Sequence, residues 1–145
     1  MNQLASQAWE LVSAGDPARA VAFVAEPLPS PMGDAALVAQ VWQNLLDNAF
    51  KYTAKTARPQ VRIDSFDEAG RTWYRVTDNG VGFSMERAQH LFQPFQRMHT
   101  LAEFSGTGIG LSLVRRVARA HGGEVRAKSQ PGVGTVIEFC LVALA

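Results

Sequence analysis

The segment that decides the fold is residues 34–53, DAALVAQVWQNLLDNAFKYT. It begins with Asp34, a favourable helix N-cap, and continues with apolar residues spaced three and four apart. This spacing predicts a helix from Asp34 to about Tyr52 with one apolar stripe along its length. The stripe consists of Val38, Val41, Trp42, Leu45, Leu46 and Ala49. A stripe of this kind is buried when a helix packs against a sheet or against other helices.

Strand and helix patterns flank this long helix. Before it, the sequence predicts a short helix at 3–14 and a strand at 19–26. After it, the sequence predicts two strands, a helix and two further strands, at 60–66, 71–78, 108–121, 124–129 and 134–142. Residues 67–70 (Asp-Glu-Ala-Gly) are typical of a hairpin turn between the first two of these strands. The order predicts an α+β fold, a two-layer α/β sandwich whose mixed, mainly antiparallel sheet has about five strands and three main helices on one face.

One stretch between these elements has a different character. Ser84 is a suitable cap for a short helix that ends near Phe92. Residues 93–107 show no periodicity, which predicts a loop. A loop of this length inside a compact domain is usually functional or mobile.

A polar stripe runs beside the apolar one on the long helix. Asn44, Asn48 and Lys51 are spaced i, i+4 and i+7, so their side chains lie on one narrow face. A carboxamide oxygen is a neutral ligand suited to Mg²⁺, and a lysine supplies a point charge for phosphate. Stray asparagines on a solvent-exposed helix would give the same pattern, so the stripe alone leaves both interpretations open.

Two glycine-rich segments follow strand or loop patterns. Residues 78–82, DNGVG, come directly after a strand, and Asp78 there could accept a hydrogen bond from an exocyclic amine. The alternative is a plain Asn-Gly turn. Residues 106–111, GTGIGL, lead into a helix, where free backbone N–H groups and the helix dipole favour anions. The second segment matches neither the P-loop nor the dinucleotide-binding pattern.

Taken in order, these segments resemble the ATP-binding domain of sensor histidine kinases, part of the superfamily of gyrase, heat-shock chaperone and mismatch-repair ATPases. Residues 44–53 are similar to the asparagine box, 78–82 and 106–111 to the two glycine boxes, 92–99 to the phenylalanine box and 132–135 to a late glycine turn. The resemblance covers about residues 3 to 142, and its phenylalanine box is most similar to that of phytochrome-like kinases. It implies a Bergerat-type ATP-binding fold over residues 1–145, with an ATP lid at about 93–107.

The resemblance implies roles for residues near the phosphates. Asn48 would ligate Mg²⁺, Asn44 would support the phosphate–metal region, and Lys51 would contact phosphate. Arg97 would approach the terminal phosphate of ATP. Asn44, Lys51 and Arg97 are therefore the expected catalytic residues.

The resemblance also implies a site for the base. Tyr52 would lie against it, Asp78 would accept a hydrogen bond from the adenine amino group, and Gly82 would leave room for the ring. Further nucleotide-binding residues are expected in the same boxes: Gly80, Phe95, Thr107, Gly108, Gly110, Leu111 and Thr135. Phe95 also fits a packing anchor of the lid, and Leu111 is expected to lie half in the core.

One departure within the superfamily bears on the reaction. Hydrolytic members place a glutamate one helical turn before the metal-binding asparagine, and this chain has Asn44 there. The implied reaction is transfer of the ATP γ-phosphoryl group to a histidine on a separate dimerisation domain, followed by relay to a response regulator. That acceptor domain is expected to be absent from this chain. A nucleotide-binding pseudokinase or interaction module, and a protein-serine kinase of the anti-sigma-factor type, remain alternatives.

Composition sets limits on partners and compartment. The net charge is +1, which predicts no nucleic-acid binding. The charge is uneven, since residues 1–50 contain five acids and a single base, Arg19. The lone Cys140 cannot form an intrachain disulfide, and no apolar stretch is long enough to span a membrane. We therefore expect a cytoplasmic domain. We also expect the isolated domain to be monomeric. His90, His99 and His121 have neither metal-ligand spacing nor the context of a phosphoacceptor.

Overall fold

The computed structural model describes residues 1–16, 19–29, 34–82 and 110–141. Its helices there are α1 Asn2–Ser13, α2 Ala35–Tyr52 and α3 Gly110–Ala120. Its strands there are β1 Ala22–Ala25, β2 Gln60–Glu68, β3 Arg71–Asp78, β4 Val125–Gln130 and β5 Gly134–Cys140. The predicted helix at 84–92 and the predicted loop at 93–107 lie outside the described residues.

The long helix α2 forms where its pattern predicts. The Asp34 side chain accepts hydrogen bonds from the backbone N–H groups of Ala36 and Leu37, at 2.9 and 3.1 Å, and so caps the helix. All six residues of the predicted apolar stripe are buried. Trp42 packs edge-on against Tyr74 of β3 and Phe139 of β5, with ring centroids 6.2 and 5.2 Å away. The helix therefore lies on the sheet through the predicted face.

The five strands form one sheet in the order β1-β2-β3-β5-β4. β1 is parallel to β2 and the other neighbours are antiparallel, so the predicted mixed, mainly antiparallel sheet is confirmed. β1 is shorter than the predicted strand at 19–26, because only four of its residues have partners on β2. The other boundaries agree with the predicted ones to within two residues.

The hairpin between β2 and β3 corrects one prediction. Asp67 and Glu68 continue β2 and pair with Thr72 and Arg71, so they are not part of the turn. The turn is only the pair Ala69-Gly70, both with positive φ, at 54° and 77°. Two-residue turns of this kind match the right-handed twist of the strands, which explains why the hairpin is tighter than predicted.

The face of the sheet opposite α2 carries a row of ion pairs. Arg75 bonds Asp64 at 2.6 Å, and Arg126 bonds Glu138 at 3.1 Å and Glu68 at 2.8 Å. Arg126 also covers Trp73, with its guanidinium carbon 3.8 Å from the ring centroid. Because strand residues alternate between faces, Tyr74, Val76 and Phe139 point the other way, toward the helices.

The C-terminal end of α3 is tied to the start of α2. His121 is buried; its Nδ1 lies 2.9 Å from Val117 O, and its Nε2 lies 3.2 Å from the backbone nitrogen of Asp34. The backbone N–H of Asp34 donates to Nε2, so Nε2 acts as an acceptor. Nδ1 therefore carries a proton and donates it to Val117 O. Gly122 follows with φ of 72°, which confirms the predicted left-handed glycine at the helix end. Within the described residues, no helix has the length and apolar character needed to cross a membrane.

Candidate nucleotide-binding site

The polar stripe of α2 provides the first part of the candidate site. Lys51 Nζ forms an ion pair with Asp47 Oδ2 at 2.8 Å, and Asn44 Nδ2 donates to Gln40 O at 2.8 Å. Asn48 is half-buried, and its side chain makes no hydrogen bond to the parts of the chain that the structure describes. The stripe therefore presents two neutral amides and one cation on the same helix face, as predicted.

Asp78 ends β3 and provides the second part. It is only 6% exposed, and its Oδ1 accepts a hydrogen bond from the backbone N–H of Gly80 at 2.9 Å. Burial raises the pKa of its carboxyl group to about 7, although hydrogen bonds from the backbone of Gly80 and Thr135 lower it. A buried carboxylate with this pKa is costly to keep ionised, so a further donor at this position would be stabilising.

The turn after Asp78 packs against the end of α2. Val81 N donates to Tyr52 O at 3.2 Å. A Cβ atom on Gly80 would lie 2.5 Å from Tyr52 O, closer than any real Cβ contact, so the two backbones approach this closely only with glycine at this position. The approach brings Tyr52 beside the Asp78 turn and joins the two parts of the site.

The turn between β4 and β5 closes the sheet side of the site. Gly132 N donates to Val81 O at 2.8 Å. Gly82 has φ of 67°, and a Cβ atom there would lie 2.1 Å from Gln130 O. Thr135 is paired with Asp78 in the β3–β5 register and is buried, with its hydroxyl 2.9 Å from Ser129 Oγ. Glycine at 82 is therefore required by both conformation and packing.

The structure brings together one group of the predicted site residues, Tyr52, Asp78, Gly80, Gly82 and Thr135. Asn44, Asn48 and Lys51 lie on the helix that leads to this group. Leu111 is 6% exposed and belongs to the core, while Gly110 is the first residue of α3. Other predicted site residues, Phe95, Arg97, Thr107 and Gly108, lie outside the described residues.

Two residues near the site were missed by the sequence analysis. Asn79 ties the turn to β2, since its Oδ1 accepts from Gln60 N and its Nδ2 donates to Arg58 O, both at 2.8 Å. An Asn-Gly pair gives no signal for that role. Arg19 bonds the last turn of α2, and its signal was its position as the single base among residues 1–50.

A comparison with protein families finds one model that matches most of the chain. The family described as histidine kinase-, DNA gyrase B- and HSP90-like ATPase matches residues 33–144. Among curated proteins, cyanobacterial phytochrome A of a Nostoc strain is 34% identical over 116 residues, which is 80% of this chain and 15% of that protein. The adaptive-response sensory kinase SasA of Thermosynechococcus vestitus is 35% identical over 115 residues, which is 79% of this chain and 30% of that protein. The chain thus spans less than a third of either relative.

Solved structures give the same result for the fold. The mycobacterial sensor histidine kinase MprB has a TM-score of 0.79 and 25% identity, and the match covers 97% of this chain and 94% of that one. Full-length ShkA in complex with AMPPNP has a TM-score of 0.76 and 26% identity, with coverage of 99% and 30%. Both matches extend over nearly the whole chain, which confirms the predicted α/β sandwich.

Proposed function

Because this chain belongs to the histidine kinase-, DNA gyrase B- and HSP90-like ATPases, as an ATP-binding catalytic domain of the sensor histidine kinase type, we propose that it binds Mg-ATP and transfers the γ-phosphoryl group to a histidine on a separate dimerisation domain. The product would then pass its phosphoryl group to a response regulator. We place this reaction in the cytoplasm.

The observation that carries the proposal is the environment of Asp78. Its carboxylate is buried at the end of β3, beside a turn whose Gly80 and Gly82 pack closely against the backbone of Tyr52 and Gln130. Two backbone donors leave acceptor capacity on the two carboxylate oxygens. The amino group of adenine can donate to one of these oxygens. Tyr52 lies beside the turn after Asp78, where the adenine base could stack on it.

The polar stripe of α2 supports binding of the metal and the phosphates. Among the described residues, no group of three or more His, Cys, Asp or Glu side chains could hold a metal ion. Mg²⁺ in nucleotide sites is usually held by one or two protein oxygens together with phosphates and waters, and the amide oxygen of Asn48 fits that requirement. Mg²⁺ would neutralise phosphate charge, and Lys51 would add a second positive charge on the same helix face.

The identity of residue 44 favours transfer over hydrolysis. Asn44 is neutral and its amide nitrogen already donates to Gln40 O, so it cannot take a proton from water. A histidine nitrogen is an adequate nucleophile without a general base. Catalysis would therefore rest on positioning and on charge stabilisation by Lys51 and Arg97. We propose that Thr107, Gly108, Gly110 and Leu111 add backbone N–H groups to the phosphates, and that residues 93–107 form the lid.

The test of this function is phosphoryl transfer to a supplied acceptor. The chain is mixed with a histidine-containing dimerisation domain and γ-labelled ATP, and the labelled protein is treated with acid. We expect label on the acceptor that acid removes, because phosphohistidine is acid-labile. An acceptor with its histidine replaced by alanine is the matched control. Acid-stable label would indicate serine phosphorylation, and nucleotide binding without any label would indicate a pseudokinase.

The role of Asn48 gives a prediction of its own. Asn48→Ala should weaken ATP binding in Mg²⁺ by about tenfold or more, since a metal ligand is lost, and should change binding in EDTA little. Calorimetric titrations under both conditions measure the two losses. Gln43→Ala, an exposed residue of the same helix, is the control variant. Equal losses with and without metal would show that Asn48 does not act through Mg²⁺.

A further inference from the structure

The last turn of α2 is held from two sides, and one of them is not part of the candidate site. On the site side, Tyr52 O accepts from Val81 N. On the other side, Arg19 reaches the helix from the segment between α1 and β1. Its Nη1 donates to Phe50 O at 2.6 Å, and its Nη2 donates to Thr53 Oγ1 at 3.2 Å.

Arg19 completes a hydrogen-bond chain at the helix end. The hydroxyl of Thr53 is fully buried and donates toward Ala49 O at 2.8 Å and Phe50 O at 3.0 Å. Arg19 in turn donates to that hydroxyl and to Phe50 O, so carbonyls that a helix end leaves without partners are satisfied. Its positive charge also lies at the negative end of the helix dipole.

Packing fixes the guanidinium of Arg19 in this place. Its central carbon lies 4.0 Å from the centroid of the Phe50 ring. The rings of Phe50 and Trp9 of α1 meet at a T-shaped angle with centroids 5.8 Å apart, and Trp9 stacks on Phe23 of β1 at 4.5 Å. Arg19 thus packs on an aromatic cluster that joins α1, β1 and the last turn of α2.

Two residues of the candidate site lie in sequence between the two residues that Arg19 bonds. Lys51 and Tyr52 lie between Phe50 and Thr53, in the turn that Arg19 bonds through Phe50 O and Thr53 Oγ1. We propose that Arg19 is a positioning residue for the nucleotide: it fixes the last turn of α2 and so places Lys51, Tyr52 and the Asp78 turn bonded to Tyr52. This inference rests on the proposed function, because it takes Lys51 and Tyr52 as nucleotide-binding residues.

Hydrogen exchange without nucleotide tests the positioning itself. In Arg19→Met, which keeps an apolar cover on Phe50, the backbone N–H groups of Thr53 and Val81 should exchange about tenfold faster, because their acceptors belong to the loosened turn. The N–H groups of the central β3–β5 pairing, such as Val76, should keep their wild-type rates. Uniformly faster exchange across the sheet would mean a general loss of stability, and it would overturn the proposal.

Calorimetry with Mg-ATP tests the consequence for binding. At a temperature where thermal melts show every variant folded, Arg19→Met should raise the Kd about five- to tenfold. Arg19→Lys should recover most of that loss, since its ammonium can still donate to Phe50 O. Arg62→Met is the matched control, because Arg62 bonds Glu26 on the exposed side of the sheet at 3.1 Å and should leave the Kd unchanged.

The outcomes separate this inference from the proposed function. A wild-type chain that does not bind ATP would reject the proposed function, and the positioning role would fall with it. A wild-type chain that binds ATP, with an equal Kd for folded Arg19→Met, would reject the positioning role alone. If Arg19→Met does not fold, Arg19→Gln replaces it in both measurements. The glutamine side chain is shorter and uncharged, so it cannot bond both Phe50 O and Thr53 Oγ1.

Discussion

Asp78→Asn is expected to weaken ATP binding by about ten- to a hundredfold, because a charge-assisted hydrogen bond worth roughly 1.5–3 kcal/mol is lost. The same substitution is expected to stabilise the free domain at pH above about 7. The two effects have opposite signs because the buried carboxylate is costly to the empty site and useful only when a donor binds to it.

The sign of the stability effect follows from the pKa of Asp78. Burial raises that pKa to about 7 from its ordinary value of 3.8, so between these values the folded state holds a proton that the unfolded state has lost. The stability contributed by this group is fully present below pH 3.8 and is lost as pH rises through about 7. Above that pH, Asp78→Asn should raise the free energy of unfolding by about 2–4 kcal/mol.

Two measurements check this pair of effects. Denaturant unfolding of the nucleotide-free domain should show the variant as the more stable protein near pH 8, with the difference vanishing toward pH ~4. Calorimetry should show that wild-type affinity for ATP falls below pH ~7 more steeply than that of the variant. Asp67→Asn, an exposed carboxyl on the same hairpin, is the control and should change neither quantity. Unchanged ATP affinity in Asp78→Asn would remove Asp78 from the site.

The parts of the fold that could be predicted are those encoded in local patterns. The apolar spacing of α2 predicted which of its residues are buried, because residues three and four apart lie on one face of a helix. The turn of the β2–β3 hairpin was misplaced by two residues, since Asp67 and Glu68 are ordinary turn residues and only the pairing with Thr72 and Arg71 places them in strands. Turn residues predict that a turn exists more reliably than where it begins.

The candidate site was predictable in its chemistry but not in its supports. Asp78 and the glycines around it follow a recognisable pattern, so a carboxylate at a strand end beside a glycine turn could be predicted. Asp78 is buried where β5 pairs with β3 and the β4–β5 turn bonds Val81, and these are contacts between distant segments. The contact of Arg19 with the end of α2 spans 31 residues from Arg19 to Phe50, and no local pattern specifies it.

The isolated chain is expected neither to label itself from ATP nor to turn ATP over at an appreciable rate. His121 cannot accept a phosphoryl group, because it is 1% exposed and both ring nitrogens are hydrogen-bonded. His90 and His99 lie outside the described residues, and their sequence context is not that of an acceptor. We do not expect water to be activated either, because the family resemblance places Asn44 where hydrolytic relatives have a glutamate. Labelled protein and released phosphate should therefore both stay at background.

Labelling should appear once an acceptor domain is supplied in trans at high concentration, because a tether normally raises the effective concentration of the two halves. The informative variant is Asn44→Glu, which places a carboxylate where Asn44 Nδ2 now bonds Gln40 O and should raise phosphate release modestly. Gln43→Glu is its control, since it adds the same charge one residue away and off the Asn44–Asn48–Lys51 face. Brisk phosphate release from the unmodified chain would contradict the role given to Asn44, because it would show that the chain activates water without a glutamate at position 44.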